Sequence, residues 1–146
     1  RITCIGGGPA GLYFALLMAK AGHAVTVLER NAADSTFGWG VVFSDQTLAG
    51  MTRADAPTAK RVLDAFNHWD DIDIHFKGRV LRSSGHGFCG IGRMRLLTIL
   101  QERCRELGVD LRFATDAPDD EAVQADLVIA CDGLNSRIRT KYAATY

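Results

Sequence analysis

The segment from Ile2 to Glu29 leaves this chain few folds to choose from. Ile2 to Ile5 reads as a short buried strand, followed by Gly6-Gly7-Gly8-Pro9-Ala10-Gly11, which matches G-x-G-x-x-G at Gly6, Gly8 and Gly11. An apolar, helix-forming run extends from Leu12 to about Ala21. Gly22-His23 ends it, and Ala24 to Leu28 reads as a second strand closed by Glu29. Strand, glycine turn, helix and strand make a βαβ unit with a phosphate-binding corner. Gly6 permits the tight turn out of the strand, Gly8 lets backbone approach a pyrophosphate, and Gly11 lets the helix pack against the sheet. Pro9 and Ala10 complete the loop, and the helix start offers unpaired N–H groups and partial positive charge to phosphates. Glu29 stands where a carboxylate can accept adenosine ribose hydroxyls. A glycine-rich turn in an unrelated α/β domain would not explain glycines this dense, which are entropically costly without a purpose.

Further along, Asn31 to Gly40 reads as loop and Val41-Val42-Phe43 as a short apolar run. Ser44-Asp45 can cap a helix through about Met51. Ala56-Pro57 to His68 is predicted helical, with Pro57 in the first turn. Asp70-Asp71 is a turn, and Ile72 to Phe76 alternates like a half-buried strand. Lys77-Gly78 suggests a hairpin into Arg79 to Arg82, and Ser83 to Gly92, with four glycines, reads as loop. Arg93 to Leu107 is the clearest later helix, with Leu96, Leu97, Leu100, Cys104 and Leu107 on one face and Gly108 at its end. Val109 to Phe113 is a third core strand, and Asp116 to Gln124 is acidic and exposed. Leu127 to Cys131 is a fourth core strand, apolar throughout as in strands covered on both faces. The prediction is an α/β, Rossmann-like domain with a mostly parallel sheet in the order third, second, first, fourth and a β-hairpin excursion. That hairpin should sit over the nucleotide site or extend as a small satellite sheet.

With 146 residues, 47% apolar and 23% charged, the chain has enough material for one domain with a core. A formal net charge of zero gives no reason to expect nucleic acid or an anionic membrane as a partner. The longest apolar stretch, Leu12 to Ala19, is too short to span a bilayer. Cys4, Cys89, Cys104 and Cys131 show no metal-ligand spacing, so no metal site is expected. Cys4 and Cys131 fall in predicted strands and Cys104 in a predicted helix, as buried thiols of a reducing, cytoplasmic protein would.

Three anchors carry a resemblance. They are Gly6 to Gly11 with Glu29-Arg30, Arg93 heading a helix with Leu96, Leu97 and Leu100, and Asp126 to Arg139, an apolar strand running into Asp132-Gly133 with Ser136 and Arg139 behind it. Together they resemble the FAD-dependent aromatic hydroxylases, the class A flavoprotein monooxygenases. The resemblance implies that Gly6, Gly8, Gly11, Glu29 and Arg30 serve the ADP part of FAD. It implies that Arg93 contacts the phosphate–ribityl region, and that Asp132 and Gly133 serve FAD and, indirectly, the nicotinamide donor. Phe37 to Ser44, His68 to His75 and His86 to Ile91 look like the aryl-CoA hydroxylases, the salicylyl-CoA 5-hydroxylase and 2-aminobenzoyl-CoA monooxygenase group. A Gly-Trp-Gly-Val-Val stretch also occurs in violacein-pathway tryptophan-type hydroxylases, so an indole-type aromatic stays open as substrate. Gly38 to Val42, with Gly40 and Val41 at the centre, either line the isoalloxazine or form a tight loop. His86 and Phe88 either approach the substrate or are loop residues.

The resemblance implies hydroxylation of an aromatic small molecule, possibly a CoA thioester, with NAD(P)H as co-substrate and O2. The chemistry would belong to the flavin, and no residue here need be a nucleophile or metal ligand. Family members run to several hundred residues, with a second flavin motif and most of the substrate-binding sheet placed later. The expectation is therefore that residues 1–146 are the N-terminal part of an FAD-binding domain, inactive alone, with an apolar strand edge prone to self-association. Two other classes compete. A nicotinamide-dependent dehydrogenase has no need of the Asp126 to Arg139 segment. The other is a nucleotide-binding module without catalytic activity, or an isolated domain that no longer binds anything.

Overall fold

The computed structural model describes residues 1–117 and 119–145. In chain order the strands and helices are β1 (Ile2–Ile5), α1 (Pro9–Lys20), β2 (Val25–Leu28), β3 (Gly40–Ser44), α2 (Asp45–Ala54), α3 (Ala56–Leu63), β4 (Asn67–Trp69), β5 (Ile72–Phe76), β6 (Arg79–Ser83), β7 (Phe88–Gly92), α4 (Arg93–Glu106), β8 (Asp110–Arg112), β9 (Leu127–Ala130) and α5 (Arg137–Lys141). The chain divides into two compact units, Arg1–Thr36 with Leu96 onward, and Phe37–Arg95.

The first unit holds a four-stranded parallel sheet in the order β8-β2-β1-β9, the predicted order. All four residues of β1 are buried, as befits the central strand of a parallel sheet. Against the sheet pack Leu12, Ala15 and Leu16 of α1, all fully buried, and Leu96, Ile99 and Leu100 of α4 add to the same core. Truncating any of these leucines to alanine would cost about 2–5 kcal/mol, the range for well-packed core positions. The thiol of Cys104 donates to the Leu12 carbonyl at 3.3 Å, fastening α4 to α1. Helix α1 starts at Pro9, earlier than the apolar run suggests, because proline's fixed φ and missing N–H suit the first helical position. Strand β9 is not covered on both faces: Leu127 is 47% exposed, and the strand is an edge of the sheet, its apolar row having one neighbour. Cys131 follows that strand rather than lying in it.

In the second unit β3, β7 and β4 form an antiparallel sheet with β7 central. Both helices carry side-chain caps, the first of them at the predicted Ser44. Ser44 Oγ accepts the Thr47 N–H, and buried Asp55 accepts both the N–H and the hydroxyl of Thr58. Two predicted boundaries are wrong, for one reason. Helix α3 stops at Leu63 rather than His68, and Phe88–Gly92 is a strand rather than loop. Residues 67–69 pair with residues 88–90, and this ladder replaces the hydrogen bonds that a longer helix would have made. Phe66, just before β4, packs edge-on against Phe43 at 5.7 Å. The glycines that mimic a loop signal serve close packing: a Cβ on Gly90 would lie 2.9 Å from the Trp69 ring.

The β5–β6 ribbon is a separate two-stranded sheet turning through Lys77-Gly78, both at positive φ. Its residues are exposed on both faces, not half-buried. Ile72, Ile74, Phe76 and Leu81 share one face in the pairing register, and Asp73 with Arg82 lies on the other in a two-pronged pair. That hydrogen bond from Arg82 holds the Asp73 carboxyl below the usual range. Among the described residues no helix is long and apolar enough to cross a membrane, and no group of His, Cys, Asp or Glu could hold a metal ion.

Burial pushes the Cys4 and Cys104 thiols up to about 12 from an ordinary 9.0. In the unfolded chain both ionise near 9, while the folded chain keeps its protons, so their contribution is intact below pH 9 and is lost between 9 and 12. Thermal midpoints measured by circular dichroism should therefore fall from about pH 9 upward, with a shallower slope in Cys104→Ala.

Candidate functional site

The glycine loop leaves β1 under tight restraint. Gly6 N–H donates to the Leu28 carbonyl at 2.8 Å, and Gly6 has φ of 109°, a conformation that disfavours any side chain. A Cβ on Gly6 would sit 2.3 Å from the Cys131 carbonyl oxygen, and one on Gly11 would sit 2.0 Å from the Gly6 carbonyl oxygen. These two glycines are demanded by the chain's own packing. Gly7 is too, since a Cβ there would lie 2.8 Å from the Glu29 Cβ. Gly8 is different. Its backbone (φ −72°, ψ 178°) suits any residue, and a Cβ there would meet nothing within 4 Å. The packing of the chain does not require glycine at this position, at the mouth of α1. The helix has no side-chain cap and no acidic residue in its first turn. Its first internal hydrogen bond runs from the Leu12 N–H to the Gly8 carbonyl, so the N–H groups of Ala10 and Gly11 precede the internal ladder.

Glu29 is fixed at both levels. Its backbone N–H donates to the Arg112 carbonyl and its carbonyl accepts from Thr115, each at about 2.8–2.9 Å. Its carboxylate accepts from Gly7 N–H through Oε2 at 2.7 Å, and from Asn31 N–H and Nδ2 through Oε1 at 2.8 and 2.6 Å. Arg30 is exposed. After the Arg137 hydrogen bond, its charge helps hold the Asp116 carboxyl below the usual range. Gly7 and Asn31 were missed in the sequence: one fills an "x" of the pattern, and the other looks like an ordinary loop residue. The signal for Gly7 was the run of three consecutive glycines.

Asp132 and Gly133 follow β9, and the Asp132 backbone nitrogen lies 2.9 Å from where a Gly6 Cβ would be, so the two glycine-bearing turns converge. Partial burial opposes ionisation of Asp132, but hydrogen bonds from Ser136 and from the N–H groups of Arg137 and Ile138 outweigh it and hold the carboxyl below the usual range. Ser136 in turn caps α5 through the Arg139 N–H at 2.9 Å. Asp132 and Gly133 also line an open cavity of 610 Å³ with Val128, Ile129, Arg139 and Tyr142.

A second group of the named residues lies in the other unit. Gly40 pairs with Gly92 and Val41 with Ile91, so these residues are strand, not a tight loop. The Trp39 carbonyl accepts from Arg93 N–H at 3.1 Å, and Trp39 itself is 98% exposed. Arg93 Nε is buried and has no hydrogen-bond partner among the described residues. A buried guanidinium nitrogen left unpaired is costly, and an acceptor from outside the chain would satisfy it. Phe88 is a strand residue with His86 stacked on it at 5.2 Å. The Cys89 sulfur lies 2.9 Å from His68 Nδ1 and 3.5 Å from Nε2. A sulfur on the Nδ1 lone-pair axis would be far from Nε2, so this is a contact over the ring and not a nucleophile–base pair.

A family profile described as an FAD binding domain matches residues 1–146. The chain belongs to the FAD binding domain family. This FAD-binding domain is 44% identical to a salicyloyl-CoA 5-hydroxylase of Streptomyces sp, over 98% of this chain and 28% of that protein. It is 32% identical to the 3-hydroxy-4-methyl-anthranilyl-[aryl-carrier protein] 5-monooxygenase of Streptosporangium sibiricum, over 100% of this chain and 42% of that one. The chain thus spans less than half the length of these relatives. A solved 2-methyl-3-hydroxypyridine-5-carboxylic acid oxygenase shares the fold with a TM-score of 0.83, at 24% identity over 96% of this chain and 41% of the other. Two features of the FAD-binding domain fit a bound FAD, each within its own unit: the open cradle at Gly8 and the unpaired Arg93 Nε.

Gly8 and Gly11 should separate under mutation. Gly11→Ala should lower stability by several kcal/mol, the class of effect produced by overpacking against backbone, about 1–3 kcal/mol or more. Gly8→Ala should leave the thermal midpoint unchanged and weaken nucleotide binding at least tenfold, measured by differential scanning calorimetry and ADP titration.

Proposed function

We propose that the chain holds FAD for an enzyme that hydroxylates an aromatic acyl thioester of the aryl-CoA kind, with NAD(P)H and O2. The observation that carries the reading is Gly8, a helix-mouth position whose empty Cβ space serves no packing of its own. Support for the substrate class comes from the two relatives, whose names both describe an aromatic acyl group on a carrier.

When bound, FAD supplies electron transfer from NAD(P)H and oxygen transfer from O2 to the ring. The residues of the chain bind and orient. Gly6, Gly8, Pro9, Ala10 and Gly11 shape the pyrophosphate cradle, with the Ala10 and Gly11 N–H groups as donors at the positive end of α1. Glu29 accepts from the adenosine ribose, with Arg30 beside it as an exposed cation. Asp132 and Gly133 form the turn that closes on the cradle, with the Asp132 carboxylate kept ionised. In the other unit Arg93 offers a guanidinium to the phosphate–ribityl part, and Gly40 and Val41 present a strand to the flavin ring. No residue of the chain acts as nucleophile.

Titration of the purified chain with FAD, followed by its visible spectrum, tests this. About one equivalent should bind. Glu29→Ala and Arg93→Met should each weaken binding about tenfold or more, the effect of losing hydrogen bonds to charged groups. A colourless chain that ignores FAD would refute the reading.

The apolar edge of β9 supports self-association. Leu127 and Cys131 donate their N–H groups to Arg1 and Ile5 of the β1 side, so by strand alternation those of Val128 and Ala130 face outward. The other sheet edge, β8, carries Asp110 and Arg112, whose charges discourage pairing. Sedimentation velocity should show concentration-dependent dimers. Val128→Pro, which removes an outward donor from an edge strand that tolerates proline, should abolish them.

A further inference from the structure

We infer that Asn31 is a positioning residue for Glu29, and that it decides how many ribose hydroxyls this carboxylate can accept. The inference rests on the ribose role given to Glu29 above. An ionised carboxylate offers about two acceptor sites on each oxygen. Asn31 fills both sites of Oε1, with its N–H at 2.8 Å and its Nδ2 at 2.6 Å. Gly7 N–H fills one site of Oε2 at 2.7 Å. One acceptor site remains on Oε2, enough for one hydroxyl. A ribose presents two adjacent hydroxyls, so the second needs another acceptor. The Asn31 amide supplies it. With Nδ2 turned to Glu29, Oδ1 is left as an acceptor beside the carboxylate. The opposite amide orientation would set oxygen lone pairs against Oε1.

The geometry behind this clamp has little slack. The chain bends at residues 30 and 31, which brings the Asn31 amide back onto the Glu29 carboxylate. The Asn31 carbonyl accepts from Ala114 N–H at 2.9 Å, and the Glu29 backbone is paired on both sides with residues 112 and 115. The Gly7 backbone lies close against the Glu29 stem, where a Cβ would come within 2.8 Å of the Glu29 Cβ. Glu29 is therefore held by residues on two sides, and only its Oε2 end can turn to a ligand.

The test uses the whole chain with ADP, 2′-deoxy-ADP and 3′-deoxy-ADP in calorimetric titrations. The unsubstituted chain should prefer ADP over both deoxy forms. Asn31→Ala should weaken ADP about tenfold and shrink that preference, because a hydroxyl then has no second acceptor. Asn31→Asp keeps the shape but loses the Nδ2 donor and adds a like charge, so it should be at least as damaging. A role of Asn31 in shape alone would leave it near normal. Without ligand, Asn31→Ala should speed hydrogen exchange of the Gly7 amide several-fold, an effect passed through Glu29 to a group Asn31 does not touch. Unchanged ADP affinity in Asn31→Ala, or unchanged Gly7 exchange, overturns the inference. An unsubstituted chain that binds no ADP overturns instead the ribose role assigned to Glu29, and does so whether or not Gly7 exchange responds to Asn31.

Discussion

The first unit depends on one close approach: the start of α1 against the end of β1 and the end of β9. The Gly6 carbonyl, the Gly11 Cα and the Cys131 carbonyl meet at distances where any added methyl would collide with backbone. Backbone cannot give way as a flexible side chain can, so this convergence sets where α1 leaves the sheet. It thereby points the helix N-terminus at the space beyond the strand ends, where ligands of open α/β sheets bind. The same convergence draws Asp132 next to the first turn, although well over a hundred residues separate them in sequence. The fully buried β1, with β2 and β9 paired to it in register, provides the rigid floor on which these contacts are possible.

Glu29 is held by a second constraint, the backbone hydrogen bonds between residues 29–31 and 112–115. Backbone hydrogen bonds run on past the end of the β2–β8 ladder, through a bend at residues 30 and 31 and a left-handed Ala114, so a stretch outside the strands is still held in place. A carboxylate at this end is then limited by its acceptor count rather than by its freedom to swing. Placement of a ligand hydroxyl becomes a question of which lone pairs the protein has left open.

Much of this was legible in the sequence, and the reasons differ between elements. The four parallel strands and their order followed from apolar runs, a glycine pattern with local meaning and the handedness of crossovers. Ser44 and Pro57 announced their helices because helix starts are set by local interactions. The misreadings lie where long-range pairing overrides local signals. Asn67 and His68 fall in the predicted helix, yet pair with a strand whose own glycines disguise it. Gly90 stands there because an indole lies on it, and Gly40 because a Cβ would lie 3.1 Å from the Ile91 carbonyl oxygen. No periodicity carries that information. Gly7 and Asn31 escaped for a similar reason: their importance is a relation to Glu29, and a motif records positions without recording partners.

Among the glycines of the first turn, the chain itself explains all but one. Gly6, Gly7 and Gly11 are accounted for by what a Cβ would strike. Gly8 is not, since the conformation there is ordinary and the space is open. A glycine in such a place costs conformational entropy and is compensated by nothing inside the molecule. Arg93 Nε presents the same asymmetry in polar form, a donor withdrawn from water with no acceptor among the described residues. Buried donors are nearly always paired, and small residues with empty surroundings are rarely kept for packing. Open space beside a helix N-terminus suits phosphate oxygens, and a buried unpaired guanidinium nitrogen suits an acceptor.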